Sequence, residues 1–428
     1  MQTPSFGELE VLANAVIEVD AGGTITSVST DDARPVDHDF GAGAVMVPGL
    51  IDTHIHAAQW PQLGTGLDLP LDRWLFQNTF PLEHRLTNAE FAAKVWPDMV
   101  STLLSHGTTT AVYYATIDLE TTTMLAATCA ELGQRSLVGR VAMDHPTGTP
   151  DWYRDPNPEH AVALSAASIE QITALDSGLV HPILTPRFIP ACTDETLTGL
   201  GALASETGVR IQTHCSEGDW EHGYVLDRCG VSDTEALNNF GLLQSGTVLA
   251  HGTHLGSSDL ATIAAKNAGV AHCPLSNSYF ANATFGARRA IDAGVMVGLG
   301  TDIAGGPSPG VLQQIAHAVT TSRMRSDGVN FEIPAVDRGV ADSKISIVEA
   351  FFLATTGGAE LLDLPVGLLE VGRQFDAVVI RTDRPLSPLR IWPEIDDTAR
   401  SFEKVVRLAT PADITDVYVD GRRTAGTT

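Results

Sequence analysis

The sequence predicts a (β/α)8 barrel of TIM type, with a small β-sandwich domain built from the two chain ends. Three observations carry this expectation. Eight short apolar runs rich in Val, Ile, Leu and Thr recur between residues 47 and 302, continuous rather than alternating, as in strands buried on both faces. Helical patterns separate them, several opened by Ser, Thr, Asp or Asn and closed near Gly. Eight strands alternating with helices over roughly 255 residues match the arithmetic of the fold.

In chain order the strands are expected at residues 47–56, 108–116, 136–144, 180–188, 209–215, 247–252, 270–276 and 295–302. Helices are expected at 88–105, 119–132, 195–206, 258–268 and 286–293, with 310–325 and 347–362 bridging away from the eighth strand. Residues 9–29 hold short β-prone runs around an Asp20-Ala21-Gly22-Gly23 turn, and 376–381 and 416–420 read as further strands. The expected division is residues 1–47 and 367–428 for the two parts of the β domain and 48–366 for the barrel.

The 428 residues carry 26 Lys+Arg against 52 Asp+Glu, a net charge of −26. Nucleic acid is excluded as a partner, because phosphate binding needs clustered cations, and anionic membrane surfaces are disfavoured. No apolar run reaches about 18 residues, so no spanning helix is expected. The first thirty residues lack a basic start followed by an apolar core, so a secretory signal is not expected there. Acid pairs such as Asp31-Asp32 read as solvated surface. Cys129, Cys192, Cys215, Cys229 and Cys273 are odd in number, scattered and never arranged as CxxC. That pattern fits the reducing cytoplasm and leaves any metal to histidine and carboxylate.

Strand one ends Asp52-Thr53-His54-Ile55-His56. Residues two apart on a strand share a face about 6.6 Å apart, so His54 and His56 can lean toward one ion at ~2.0–2.1 Å. Strand five ends Thr213-His214-Cys215-Ser216-Glu217, strand six Ala250-His251-Gly252 and strand eight Thr301-Asp302. All fall at the carboxyl ends of strands, where barrel active sites are built. Histidines with an aspartate make a site suited to zinc or iron(II).

This pattern of HxH on strand one, His on strands five and six and Asp on strand eight resembles the amidohydrolase superfamily. Residues 48–60 (PGLIDTHIHAAQW), 67–83 with LDLPLDRWL and TFPLE, 107–117 (GTTTAVYYATI), 185–188 (TPRF), 272–277 (HCPLSN) and 298–306 (GLGTDIAGG) resemble the guanine deaminase family within it. The resemblance implies that His54, His56, His214 and Asp302 hold one divalent metal, zinc, with iron(II) as the alternative. It implies that Glu217 shuttles protons, that His251 orients the attacking water, and that Gln59, Arg187 and Phe188 hold a purine beside them. The activity implied is hydrolytic deamination of guanine to xanthine and ammonia by a metal-activated water. The alternatives are a related aminated ring, such as 8-oxoguanine, a pterin or an aminotriazine, or a catalytically silent binding homologue. The implied partners are a small nucleobase and a second copy of the chain in a homodimer.

Physical chemistry supports these roles. Strict alternation puts His214 and Glu217 on opposite faces, so Glu217 must lie where the strand turns into its loop. Asp302, near the ion, is positioned to take the first proton from the water. Arg187 and Gln59 suit the carbonyl and edge nitrogens of a ring, and Phe188, Trp60 or Trp74 its face. Arg187 also suits a structural ion pair, and Gln59 and the tryptophans a loop lining. His272 reads as a core histidine, and Cys215 and Cys273 as small buried groups. The four lysines, Lys94, Lys266, Lys344 and Lys404, lie away from strand four. A two-metal centre bridged by a modified lysine is therefore not expected. Gly218 stands where the family commonly has Asn, and Asp219-Trp220-Glu221-His222 departs from its pattern.

Overall fold

In a computed structural model, residues 1–30 and 34–426 are described, so Asp31 and Asp32 lie outside the described residues. Near the start, β1 (Val16–Val19) and β2 (Ile25–Ser29) form an antiparallel hairpin. Asp20 Oδ1 organises its turn by accepting from Gly22 N at 2.8 Å and Thr24 N at 3.0 Å. The next strand, β3 (Ala44–Pro48), pairs antiparallel with residues from the far end of the chain, Val47 lying opposite Val378.

Gly49 separates β3 from β4 (Leu50–His56). A Cβ at Gly49 would lie 2.1 Å from Thr109 Oγ1, so a glycine is what lets the chain cross from the small sheet into the barrel here. The single strand expected at 47–56 is therefore two strands in two sheets.

The barrel continues through β5 (Thr108–Tyr114), β6 (Arg135–Gly139), β7 (Val141–Ala142), β8 (Val180–Pro182), β9 (Thr185–Pro186), β10 (Gln212–Cys215), β11 (Val248–His251), β12 (Gly269–His272) and β13 (Met296–Leu299). All are parallel, in the runs β4-β5-β6-β8, β7-β9 and β10-β11-β12-β13. Leu184 N donates to Arg210 O at 2.8 Å and Gln212 N to Leu184 O at 2.9 Å, which joins strand four to strand five. Asp302 N donates to His54 O at 2.9 Å and His56 N to Ile303 O at 3.0 Å, which joins the last strand region to the first. The expected third strand breaks at Arg140, whose buried guanidinium pairs with Asp155. The seventh ends at His272 rather than 276, because Pro274 opens the helix Pro274–Phe280.

Helices follow their capping signals. Asn88 caps Ala89–Ser105 by accepting from Phe91 N at 3.0 Å, and Asp118 caps Leu119–Leu132, which Gly133 closes at φ 75°. The run expected at 347–362 is two helices, Ile347–Ala354 and Thr356–Leu361. Pro158–Thr173, Asp219–Cys229, Asp233–Asn239 and Thr398–Leu408 are helices that hydropathy did not single out.

The chain returns in β14 (Ala377–Arg381), β15 (Ile414–Val419) and β16 (Arg422–Ala425), giving the sheet order β16-β15-β14-β3. The β1–β2 hairpin and this sheet bury Ile25, Phe375 and Ala377 between them, with Ile17, Val28, Met46 and Tyr418 packed around, which makes a small sandwich. Arg135 clamps Asp376 from the barrel side at 3.1 Å. Among the described residues, no helix is long and apolar enough to cross a membrane.

Candidate active site

The expected strand ends converge at one mouth of the barrel. His54 Nε2 lies 3.1 Å and His56 Nε2 3.5 Å from Asp302 Oδ1, and His56 Nε2 lies 2.9 Å from His214 Nε2. His214 Nδ1 is 2.6 Å from the Arg187 carbonyl, to which it donates, so its Nε2 presents a lone pair inward. Burial is the first cause that holds His54, His56 and His214 well below the ordinary imidazole pKa, hence neutral. Facing lone pairs at such distances repel unless a cation lies among them. His54 Nε2 and His251 Nε2 are buried without a hydrogen-bond partner. Three neutral imidazoles and a carboxylate so arranged fit a divalent cation.

Three residues that bear this cluster or adjoin it have left-handed backbones: Ser216 at φ 52°, His251 at 76° and Asp302 at 50°. Such conformations are costly outside glycine and tend to gather at functional sites. The turn at Ser216 ends β10 and carries Glu217 back toward the cluster, its Oε2 lying 3.7 Å from His251 Nε2. Burial, then the nearby Asp302 charge, holds the Glu217 carboxyl well above the usual range. Burial likewise lowers His251 and raises Asp302. His251 Nδ1 lies 2.9 Å from Asn277 Oδ1 and donates to it, leaving Nε2 free to accept.

The cluster floors a cavity of about 390 Å³, mouth included, whose lining also holds Gln59, Trp74, Arg187 and Phe188. Trp74 Nε1 is buried with no partner, whereas Trp60 bonds Asp98 at 2.7 Å and takes no part in the lining. Arg187 forms the ion pair and also lines the cavity. Its guanidinium grips Glu83 through two bonds of 2.6 and 3.0 Å and lies over the Phe80 ring at 4.9 Å. Gln59 Nε2 donates to the same Glu83 at 2.9 Å, while Gln59 Oε1 accepts from Ala304 N at 3.1 Å. His272 is a core histidine against Phe285, held down to about 3 by burial, and Cys215 and Cys273 are fully buried.

Several residues of the site escaped the sequence reading. Glu83 and Asn277 lie within the quoted motifs, yet neither spacing nor residue type says which distant side chain they grip. Tyr114 packs among His54, His56 and His214 at ring distances of 4.9, 4.7 and 4.8 Å, and a lone tyrosine in an apolar strand gives no such signal. Glu221 lies 2.6 Å from the Glu217 amide, and its place on a helix was the missing clue.

Comparison with known proteins agrees with this geometry. The family model described as "Amidohydrolase family" matches residues 45–424. Guanine deaminase of Dictyostelium discoideum is 33% identical over 98% of this chain and 95% of its own length. Human guanine deaminase is 34% identical over 90% of this chain and 83% of its own. The structure of guanine deaminase from C. acetobutylicum with bound guanine in the active site superposes with a TM-score of 0.88 at 29% identity, covering 99% of this chain and 97% of that one. The chain belongs to the amidohydrolase family, among the guanine deaminases.

Proposed function

We propose that the protein hydrolyses guanine to xanthine and ammonia. One observation carries the reading: a single cavity joins the cluster of neutral imidazoles and Asp302 at its floor to the paired Gln59 and Arg187 donors. A site of that kind needs a ring with a displaceable amine at one edge and acceptors at another.

His54, His56, His214 and Asp302 are the ligands we assign to one zinc, with iron(II) as the alternative that elemental analysis decides. Such an ion supplies water acidified toward a pKa of ~7. Asp302 takes the first proton of that water, and the free Nε2 of His251 orients it. Glu217, kept protonated by burial, gives its proton to the ring nitrogen next to the carbon under attack. It then takes a proton from the added oxygen and hands it to the departing amine, and the water's first proton, held by Asp302, returns to Glu217. Arg187 and Gln59 donate to the ring oxygen and edge nitrogens, and Phe188 and Trp74 pack on the ring face.

The test is ammonia release from guanine, 8-oxoguanine, adenine, cytosine, a pterin and an aminotriazine, compared as kcat/KM. Guanine is expected to rank first, and any other ring ranking above it overturns the substrate assignment. A cytoplasmic location, supported by five unpaired cysteines, and a homodimer are part of the same reading. Light scattering of the purified protein tests the dimer.

A further inference from the structure

Two buried acids hold the turn that carries Glu217. The Glu217 amide donates to Glu221 Oε2 at 2.6 Å, and the Ser216 amide donates to Asp233 Oδ2 at 2.8 Å. Ser216 is the left-handed residue of this turn, a conformation that its surroundings must enforce. Glu221 and Asp233 stand in the first turns of two successive helices, Asp219–Cys229 and Asp233–Asn239, and each is 1% exposed.

Their second oxygens set the problem. Glu221 Oε1 and Asp233 Oδ1 are both buried with no hydrogen-bond donor, and because the other oxygen of each carboxyl takes one of two adjacent amides, the two carboxyls are held side by side. Two carboxylates offer only acceptors, so this contact needs a proton of its own. Without one, two like charges would meet in a dry interior.

We propose that Glu221 and Asp233 share one proton and act together as the positioning pair that fixes the backbone of Glu217 against the reaction centre. Neither residue touches substrate; both act through the turn. Burial, then the Asp233 charge, raises Glu221 well above the ordinary range, while burial raises Asp233 to about 7 and the Glu221 side chain acts on it in the opposite sense, as a donor would. Asp259 beside Asp233 adds negative charge on that flank.

Carboxamides test the pair, because an amide is a carboxylic acid with its donor made permanent. In Glu221→Gln the side-chain oxygen still accepts from the Glu217 amide while the new NH2 donates to Asp233. Asp233→Asn mirrors this, accepting from Ser216 and donating to Glu221. In the double variant two NH2 groups face each other with no acceptor between them. At pH 8 each single variant is expected to stay within about threefold of wild-type kcat, and the double to lose roughly 100-fold with KM and metal content kept. Thermal unfolding should be non-additive in the same sense.

Additive effects, or a single amide as damaging as the double, would overturn the inference. If the double variant does not fold, Glu221→Ala against Glu221→Gln decides: the amide must restore the kcat that alanine loses, with KM unmoved in both. The activity arm rests on the guanine reading and the unfolding arm does not. A wild-type protein inactive on guanine therefore refutes that reading alone, while the non-additivity still reports on the shared proton.

Discussion

His214 Nδ1 donates to the backbone carbonyl of Arg187 at 2.6 Å, so an imidazole of the histidine cluster is anchored on a residue whose side chain lines the same cavity. The bond fixes the tautomer that turns Nε2 inward, and it couples strand four to strand five where both reach the site. Displacing Arg187 moves more than a guanidinium.

Metal removal should be read in both activity and stability. Chelation is expected to abolish deamination and lower the Tm, and one equivalent of zinc per chain should restore both. An ion held at a thousandfold excess over its Kd contributes about 4 kcal/mol. Elemental analysis with calorimetry checks the prediction, and two ions per chain would contradict a single-ion centre.

Glu217→Gln removes the transferable proton while keeping the shape of the side chain. The metal content should stay at the wild-type level, and kcat should fall ~10²–10⁴-fold at each proton transfer that Glu217 serves. Steady-state kinetics alongside metal analysis separates this from loss of the ion.

Glu83 accepts from both Gln59 and Arg187 and so fixes two side chains of the cavity lining. Glu83→Ala leaves a buried guanidinium unpaired, and breaking such a pair costs ~3–5 kcal/mol. The variant should unfold at lower urea. Glu83→Gln should be milder in stability and raise KM for guanine about tenfold or more, because an amide offers one acceptor oxygen where the carboxylate offered two to Gln59 and Arg187. Unchanged KM in Glu83→Gln would show that Glu83 only props the fold.

The Asp233 carboxyl gives a pH dependence whose sign is definite. Burial, its largest cause, raises the folded-state pKa from 3.8 to about 7, so between those values the folded state binds more protons than the unfolded chain. Stability must then fall as pH rises through that window. The urea midpoint of the wild-type protein should drop between pH 5 and pH 7.5, and Asp233→Asn should flatten the slope.

The barrel was legible because its strands are apolar on both faces and punctuated by caps. The convergence of His54, His56, His214 and Asp302 was legible because all four sit at strand ends. What escaped has a common physical form. Gly49 divides a continuous apolar run between two sheets, and only the closeness of Thr109 reveals why. Pro274 starts a helix where β-prone residues continue to read as strand. Glu83 reaches Arg187 across 104 positions of sequence, and Asn277 reaches His251 across 26. Pairings of this kind belong to the closed barrel, and no local pattern encodes them.

The pairing of β3 with β14 sets an order on how the chain can be made. Val47 meets Val378, so an apolar strand made early waits for a partner made far later. At ~5–20 residues per second the delay is on the order of tens of seconds. During that interval β3 offers an unpaired edge of the kind that invites aggregation. The strand beside it, β4, also waits for Asp302, whose amide bonds His54 O at 2.9 Å. The first barrel strand to leave the ribosome is thus among the last to be finished, and a stalled or truncated chain carries both histidines of β4 without the residues that complete their site.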